Sequence, residues 1–162
     1  RSFIDPDDPI FTPAGNIPDR IRDYCRKTNQ DVPRNEAEIV RCINESLAFK
    51  YRIALEEIED CTDKKYSKLY MLGGGTQSRL LSQMTANACN IKVYGGPIEA
   101  TVLGNIAIQL IASGNIKDLK EARRIINDSH NIDEYIPKES KLWDKEFSRF
   151  KKIIKKGELI KC

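Results

Sequence analysis

The chain has 162 residues, 40% of them hydrophobic and 31% charged, the composition of one ordinary soluble globular domain and not of a disordered tail. Its net charge of +3 is too small for a chain-wide footprint on nucleic acid, which is not an expected partner. The longest apolar tract, Val102 to Ala112, is interrupted by Gly104, Asn105 and Gln109; it is far shorter than the roughly 20 residues of a membrane span, no signal peptide is visible, and no membrane is expected.

The chain starts at Arg1, and Ser2 to Pro9 reads like the middle of a polypeptide, so residue 1 is expected to be a cut. Asp5 to Asn16 is rich in Pro, Asp and Gly without a period and predicts a loop. Pro18 suits a helical first turn, and Ile17, Ile21, Tyr24 and Cys25 share one face of a helix ending near Asn29. After Pro33, Asn35 and Glu38 predict the start of one long amphipathic helix on Ile39, Ile43, Leu47, Tyr51, Leu55 and Ile58. Leu69 to Leu72 reads as a short buried strand that stops at Gly73-Gly74-Gly75.

A helix from about Ser78 to Cys89, on Leu80, Leu81, Met84 and Ala88, leads to a second strand at Ile91 to Tyr94. This order predicts a right-handed βαβ unit. The next helix is expected to begin at Pro97 and reach Ser113-Gly114, with Leu103, Leu110 and Ile111 toward the core. Its small residues Ala100, Gly104 and Ala107 lie on a nearly common face, which permits either close packing or ligand contact. Lys117 to Asp128 predicts a shorter helix, and Lys141 to Lys156 a basic amphipathic one on Leu142, Phe147, Phe150, Ile153 and Ile154.

Cys25, Cys42, Cys61, Cys89 and Cys162 form no Cys-x-x-Cys pair, and His130 is the single imidazole. No zinc site is expected, and the pattern suits reduced thiols of a cytoplasmic protein. Cys25 and Cys42 fall on consecutive predicted helices joined by a short Pro-containing turn, so they could face each other; a bridge is possible if their Cα atoms come within about 7 Å.

Three glycines between a strand and a helix remove the Cβ atoms that keep a ligand off the backbone, and the following helix is expected to aim its free N–H groups at that point. A nucleotide is a natural occupant. By spacing alone, Gly73-Gly74-Gly75-Thr76-Gln77-Ser78 matches neither Gly-x-Gly-x-x-Gly nor a P-loop, and a purely structural turn fits as well.

Leu72 to Ala86, which opens on this glycine run, followed by Gly96-Pro97-Ile98-Glu99-Ala100-Thr101-Val102-Leu103-Gly104-Asn105, resembles the C-terminal signature of the FGGY carbohydrate kinases. Arg41-Cys42-Ile43-Asn44-Glu45-Ser46-Leu47-Ala48-Phe49 is similar to that family's Arg-x-x-x-Glu-x-x-Ala helix. Within the family, Phe3 to Asp8, Ile21 to Thr28 and Gly104 to Leu110 are most similar to the branch acting on L-rhamnulose. The resemblance covers about residues 1–130.

It implies an α/β fold in which residues 1–162 are the C-terminal part of an actin-like ATPase (ribonuclease H-like) lobe, helix-rich with a short βαβ unit. The sugar-holding N-terminal lobe of the same polypeptide would be absent. It implies transfer of the γ-phosphoryl group of ATP, with Mg²⁺, to the 1-hydroxyl of a ketose, L-rhamnulose first and xylulose or a similar sugar as the alternative. Gly74 matches the family's nucleotide-contacting glycine, with Gly73, Gly75, Gln77 and Ser78 beside it; Ser78 stands where many members carry an adenine-contacting Asn. The catalytic base belongs to a segment before residue 1, and neither base nor metal ligand is assigned here.

Asp5, Asp7 and Asp8 read as loop-forming residues, and His130 as a surface or turn residue. A rival reading is a non-catalytic helical module using Lys145, Arg149, Lys151, Lys152, Lys155 and Lys156. A dinucleotide-binding enzyme is disfavoured by the missing third spaced glycine. Lacking strands of its lobe, the isolated chain is expected to bind nucleotide poorly and to self-associate through a sheet edge.

Overall fold

The computed structural model describes residues 2–130 and 132–159. Among them lie α1 (Ile17–Lys27), α2 (Glu36–Thr62), β1 (Lys68–Met71), α3 (Arg79–Cys89), β2 (Lys92–Gly95), α4 (Ala100–Ala112), α5 (Leu119–Ser129), β3 (Asp133–Tyr135) and α6 (Ser140–Leu159), with 3-10 turns at Pro9–Phe11 and Gly74–Gln77. The starts follow local chemistry. Asn35 Oδ1 accepts from Glu38 N at 2.9 Å, and Glu38 Oε2 accepts from Arg34 N at 2.7 Å, a reciprocal pair that opens α2 as its sequence predicts. Asp118 and Glu121 repeat the device at α5, with bonds of 2.9 Å each way.

β1 and β2 pair in parallel, Leu69 opposite Val93, with α3 as the crossover, so the predicted βαβ order is present. β3 joins β2 antiparallel, Tyr135 opposite Val93, and the sheet order β1-β2-β3 leaves β1 at an edge. No strand is predicted at 133–135, because Asp-Glu-Tyr offers one apolar side chain and no alternation. Tyr135 becomes strand by burying itself with Val93 and Ala86.

The main core lies among α1, α2, α3, α6 and the N-terminal segment. Phe49 is its hub, with ring centroids of Phe3, Phe150 and Trp143 at 5.3 Å and Phe147 at 5.6 Å. The Gln30 side-chain amide brackets the main chain of Phe3, accepting from its N–H at 2.8 Å and donating to its carbonyl at 2.7 Å. Ile4 N donates to Ser46 Oγ at 3.0 Å. Asp8 Oδ1 accepts from Ile10 N, and Lys50 bridges Asp5 and Asp7 at 3.3 and 2.7 Å, so these acids shape the loop as expected.

Several sequence expectations are corrected. The buried line of α2 runs through Ile39, Cys42, Ser46 and Phe49, while Tyr51 and Ile58 of the predicted stripe are exposed; the line is set by what packs on it, with Ser46 meeting Ile4 of the N-terminal segment and Cys42 meeting Cys25 of α1. Leu80 and Leu142 are exposed in place of facing the core. α4 starts at Ala100 and not at Pro97, since the carbonyl of Pro97 is held by Gly73 N–H. Its Leu110 is exposed, Ile111 packs with Ala107, Ile116 and Ala122 in a separate small cluster, and among the described residues no atom comes within 4 Å of a Cβ built on Gly104, so none of them approaches closely there.

Candidate functional site

β1 ends at Met71, and the chain turns through Leu72 into Gly73, whose φ of +82° and ψ of −169° form a backbone region essentially restricted to glycine. This turn is fastened to the β2–α4 connection: Gly96 N donates to Met71 O at 2.8 Å and Gly73 N to Pro97 O at 3.3 Å. A Cβ on Gly96 would stand 2.5 Å from Leu72 Cδ2 and 3.3 Å from Met71 O. Glycine at 96 therefore lets the two connections run side by side.

Thr76 N and Oγ1 both donate to Gly73 O, at 3.1 and 2.8 Å, which closes the 3-10 turn. Ser78 Oγ accepts from Leu81 N at 3.2 Å and caps α3. This corrects the expectation that α3 aims bare N–H groups straight into the loop: a 3-10 turn and a serine cap intervene. The Ser78 hydroxyl, an acceptor here, still carries a proton to donate.

Gly74 and Gly75 differ from Gly73. Neither takes positive φ, and a Cβ on either would meet nothing within 4 Å among the described residues. Their amides, the first two of the 3-10 turn, donate to no acceptor among the described residues. Gly73, Gly74, Gly75, Gln77 and Ser78 thus lie together in one surface turn between β1 and α3, offering free N–H donors and room above the backbone. Such a turn can accept anionic oxygens at close range.

The Arg-x-x-x-Glu-x-x-Ala spacing becomes one helical face: Arg41 Nε donates to Glu45 Oε1 at 2.7 Å, Glu45 is buried, and Ala48 is fully buried in the core. Two cavities escaped the sequence reading because their walls come from distant segments. One of about 640 Å³ is lined by Phe3, Phe49, Leu80, Met84, Trp143 and Glu139. The other, about 720 Å³, lies at the α1–α2 turn beside Arg22, Arg26, Arg34 and Arg41. Three of those guanidinium groups are tied to Asp19, Asp23 and Glu45.

Cys25 and Cys42 do face each other. Both are buried and unbridged, and a hydrogen bond from the Cys42 thiol holds Cys25 below the usual thiol range while raising Cys42. Burial pushes Cys89 up to about 12. Cys162 lies outside the described residues. His130 is exposed just after α5, Nδ1 3.1 Å from Ile126 O, a surface residue as expected. Among the described residues no group of three or more His, Cys, Asp or Glu is placed to hold a metal ion, so no residue is assigned to Mg²⁺. No described helix is long and apolar enough to cross a membrane.

Open α/β sheets bind ligands outside the carboxyl ends of their strands, where this glycine turn lies, and comparison with known proteins gives the chain a family. Residues 1–113 match the FGGY family of carbohydrate kinases, C-terminal domain; the chain belongs to this family. It is similar to the rhamnulokinase of Bacteroides thetaiotaomicron, 40% identical over 155 residues that cover 96% of this chain and 32% of that protein. It is also similar to the rhamnulokinases of Bacillus subtilis, 40% identical over 86% of this chain and 29% of that protein, and of Enterococcus faecalis, 41% over 83% and 28%. The chain spans about a third of the length of these curated relatives.

Proposed function

We propose that this chain is part of the nucleotide-binding lobe of an ATP-dependent kinase that phosphorylates L-rhamnulose at its 1-hydroxyl in the cytoplasm. Gly73, Gly74, Gly75, Gln77 and Ser78 are its contribution to the ATP site. The observation that carries this is the contrast among the glycines: position 73 needs glycine for its own backbone, whereas 74 and 75 need it for nothing inside the protein. A bare backbone facing open space with undonated amides suits a polyphosphate that must approach closely.

ATP supplies the phosphoryl group; the residues here bind and orient it. The amides of Gly74 and Gly75 donate to its oxygens, Gly73 sets the turn, and Ser78 joins that turn to α3 while keeping a donor for the base or ribose. The sugar, the base that takes its hydroxyl proton and the Mg²⁺ ligands are assigned to the rest of the polypeptide, the sugar-binding N-terminal lobe included. The names and lengths of the relatives support this division.

The helical-module reading is weakened by the work α6 already does. Arg149 lies 4.9 Å over the Phe3 ring, Lys151 lies 4.6 Å over Phe147, and Lys156 Nζ donates to Thr28 O at 3.2 Å. Coupled ADP-release assays of the full-length protein over a panel of ketoses test the proposal. L-rhamnulose is expected to give the highest kcat/KM; a preference for xylulose would keep the kinase and replace the substrate, and no sugar-dependent ADP would overturn both.

A further inference from the structure

The cavity of about 720 Å³ between α1 and α2 shares no lining residue with the turn at residues 73–78. Its walls bring together two kinds of charge. Arg22 and Arg26 come from α1, Arg34 from the α1–α2 connection and Arg41 from α2, while Asp31, Glu38 and Glu45 line the same space. With guanidinium and carboxylate groups so nearly balanced, little net field is left to hold a bare anion. These charges are only partly spent on one another. Arg22 donates to Pro33 O at 3.2 Å and to Asp19 at 2.8 Å, Arg26 donates to Asp23, and Arg41 donates to Glu45 at 2.7 Å, so part of each N–H fork remains unused. Asp19 and Asp23 are 58 and 59% exposed, and ion pairs of that kind are weak enough for a ligand to replace. The side chains of Arg34 and Asp31, opposite in charge and on one cavity, have no partner among the described residues, each other included.

We infer that this cavity binds the phosphate ester of a sugar or other small polyol. Arg34, with the unspent edges of Arg26 and Arg22, takes the phosphate, which suits the planar guanidinium fork. Glu38 Oε2 is occupied by Arg34 N at 2.7 Å and Glu45 by Arg41, so Asp31 is the carboxylate left to accept from hydroxyl groups on the carbon skeleton. Val32 and Pro33 supply the apolar part of the wall. The space falls within the range of about 300–1,000 Å³ of small-molecule sites and is far larger than one phosphate group fills. A neutral sugar leaves Arg34 unpaired, and a bare phosphate sets its charge against Asp31. The ester gives each of the two charges its own group.

Calorimetric titration of the full-length protein with fructose 1-phosphate tests this. Wild type is expected to show a binding component that Arg26→Gln with Arg34→Gln weakens by about tenfold or more, with Tm preserved because both side chains are exposed. Binding at a sugar site elsewhere in the polypeptide is unaffected by this pair and is read as a separate component. Fructose and inorganic phosphate, titrated separately, are each expected to bind the cavity about tenfold or more weakly than the ester. The absence of any component sensitive to the arginine pair would overturn the inference, as would inorganic phosphate binding as tightly as the ester, which would leave a simple anion site. Asp31→Asn gives a second reading that does not depend on the arginine variant: the ratio of ester to phosphate affinity is expected to fall by about threefold or more, a change of preference that a structural role for Asp31 would not produce. An unchanged ratio would overturn the assignment of a sugar phosphate.

Discussion

At Gly73 the backbone sits at φ +82° and ψ −169°, where an added Cβ costs about 1–3 kcal/mol. Gly73→Ala is expected to lower folding stability by about that much, measured from the urea midpoint at constant slope. Gly74 has ordinary φ and open space, so Gly74→Ala should leave stability unchanged or raise it by up to about 1 kcal/mol; a loss as large as that at 73 would contradict the division drawn between them. Among the thiols, Cys89 is held at about 12 by burial and Cys61 is exposed. The folded state keeps the Cys89 proton more tightly than an unfolded chain does, so stability from this thiol is complete below about pH 8.5 and declines as pH climbs toward 12. Peptide-mapped alkylation of the native protein at pH 8 should label Cys61 first and leave Cys25, Cys42 and Cys89 at least tenfold slower.

The joint of α2, α3 and α6 is held by Arg52. Its guanidinium donates to Ala88 O at 3.0 Å at the end of α3, to Asp144 at 2.7 Å and to Glu56 at 3.0 Å, and lies 4.1 Å over the Phe147 ring. Arg52→Ala is expected to cost about 1–3 kcal/mol, by loss of charge-assisted bonds and ring contact, and Arg52→Lys should recover only part because ammonium lacks the planar fork; a neutral thermal scan for Arg52→Ala would remove it from the joint. The helices and the βαβ unit were legible because their apolar periods and caps are local. Misreadings arose where distant residues decide. The apolar spacing of α2 suggests a face through Tyr51 and Ile58, whereas distant neighbours, Cys25 of α1 and Ile4, select Cys42 and Ser46. Pro97 looked like a helix start until the Gly73 amide claimed its carbonyl, and Tyr135 reads as strand only beside Val93. The glycine turn itself was legible, but which glycine serves the fold depends on φ values and neighbours that sequence does not carry.

For the whole molecule, phosphoryl transfer depends on a placed base, metal neutralisation and in-line positioning together. The described residues of this chain hold no metal-type cluster, and its assigned share is one nucleotide turn. Purified alone, it is expected to show no sugar-dependent ADP production; turnover within about tenfold of the full-length protein, a barrier difference of about 1.4 kcal/mol, would contradict this. The central claim, that the turn at residues 73–78 binds nucleotide through its bare glycines, is tested most directly by ATP titration of full-length wild type and Gly74→Val. The account predicts at least tenfold weaker binding by the variant, about 1.4 kcal/mol, with Tm preserved because the added side chain meets no protein atom within 4 Å at its Cβ. Unchanged ATP affinity in a folded Gly74→Val protein would contradict it.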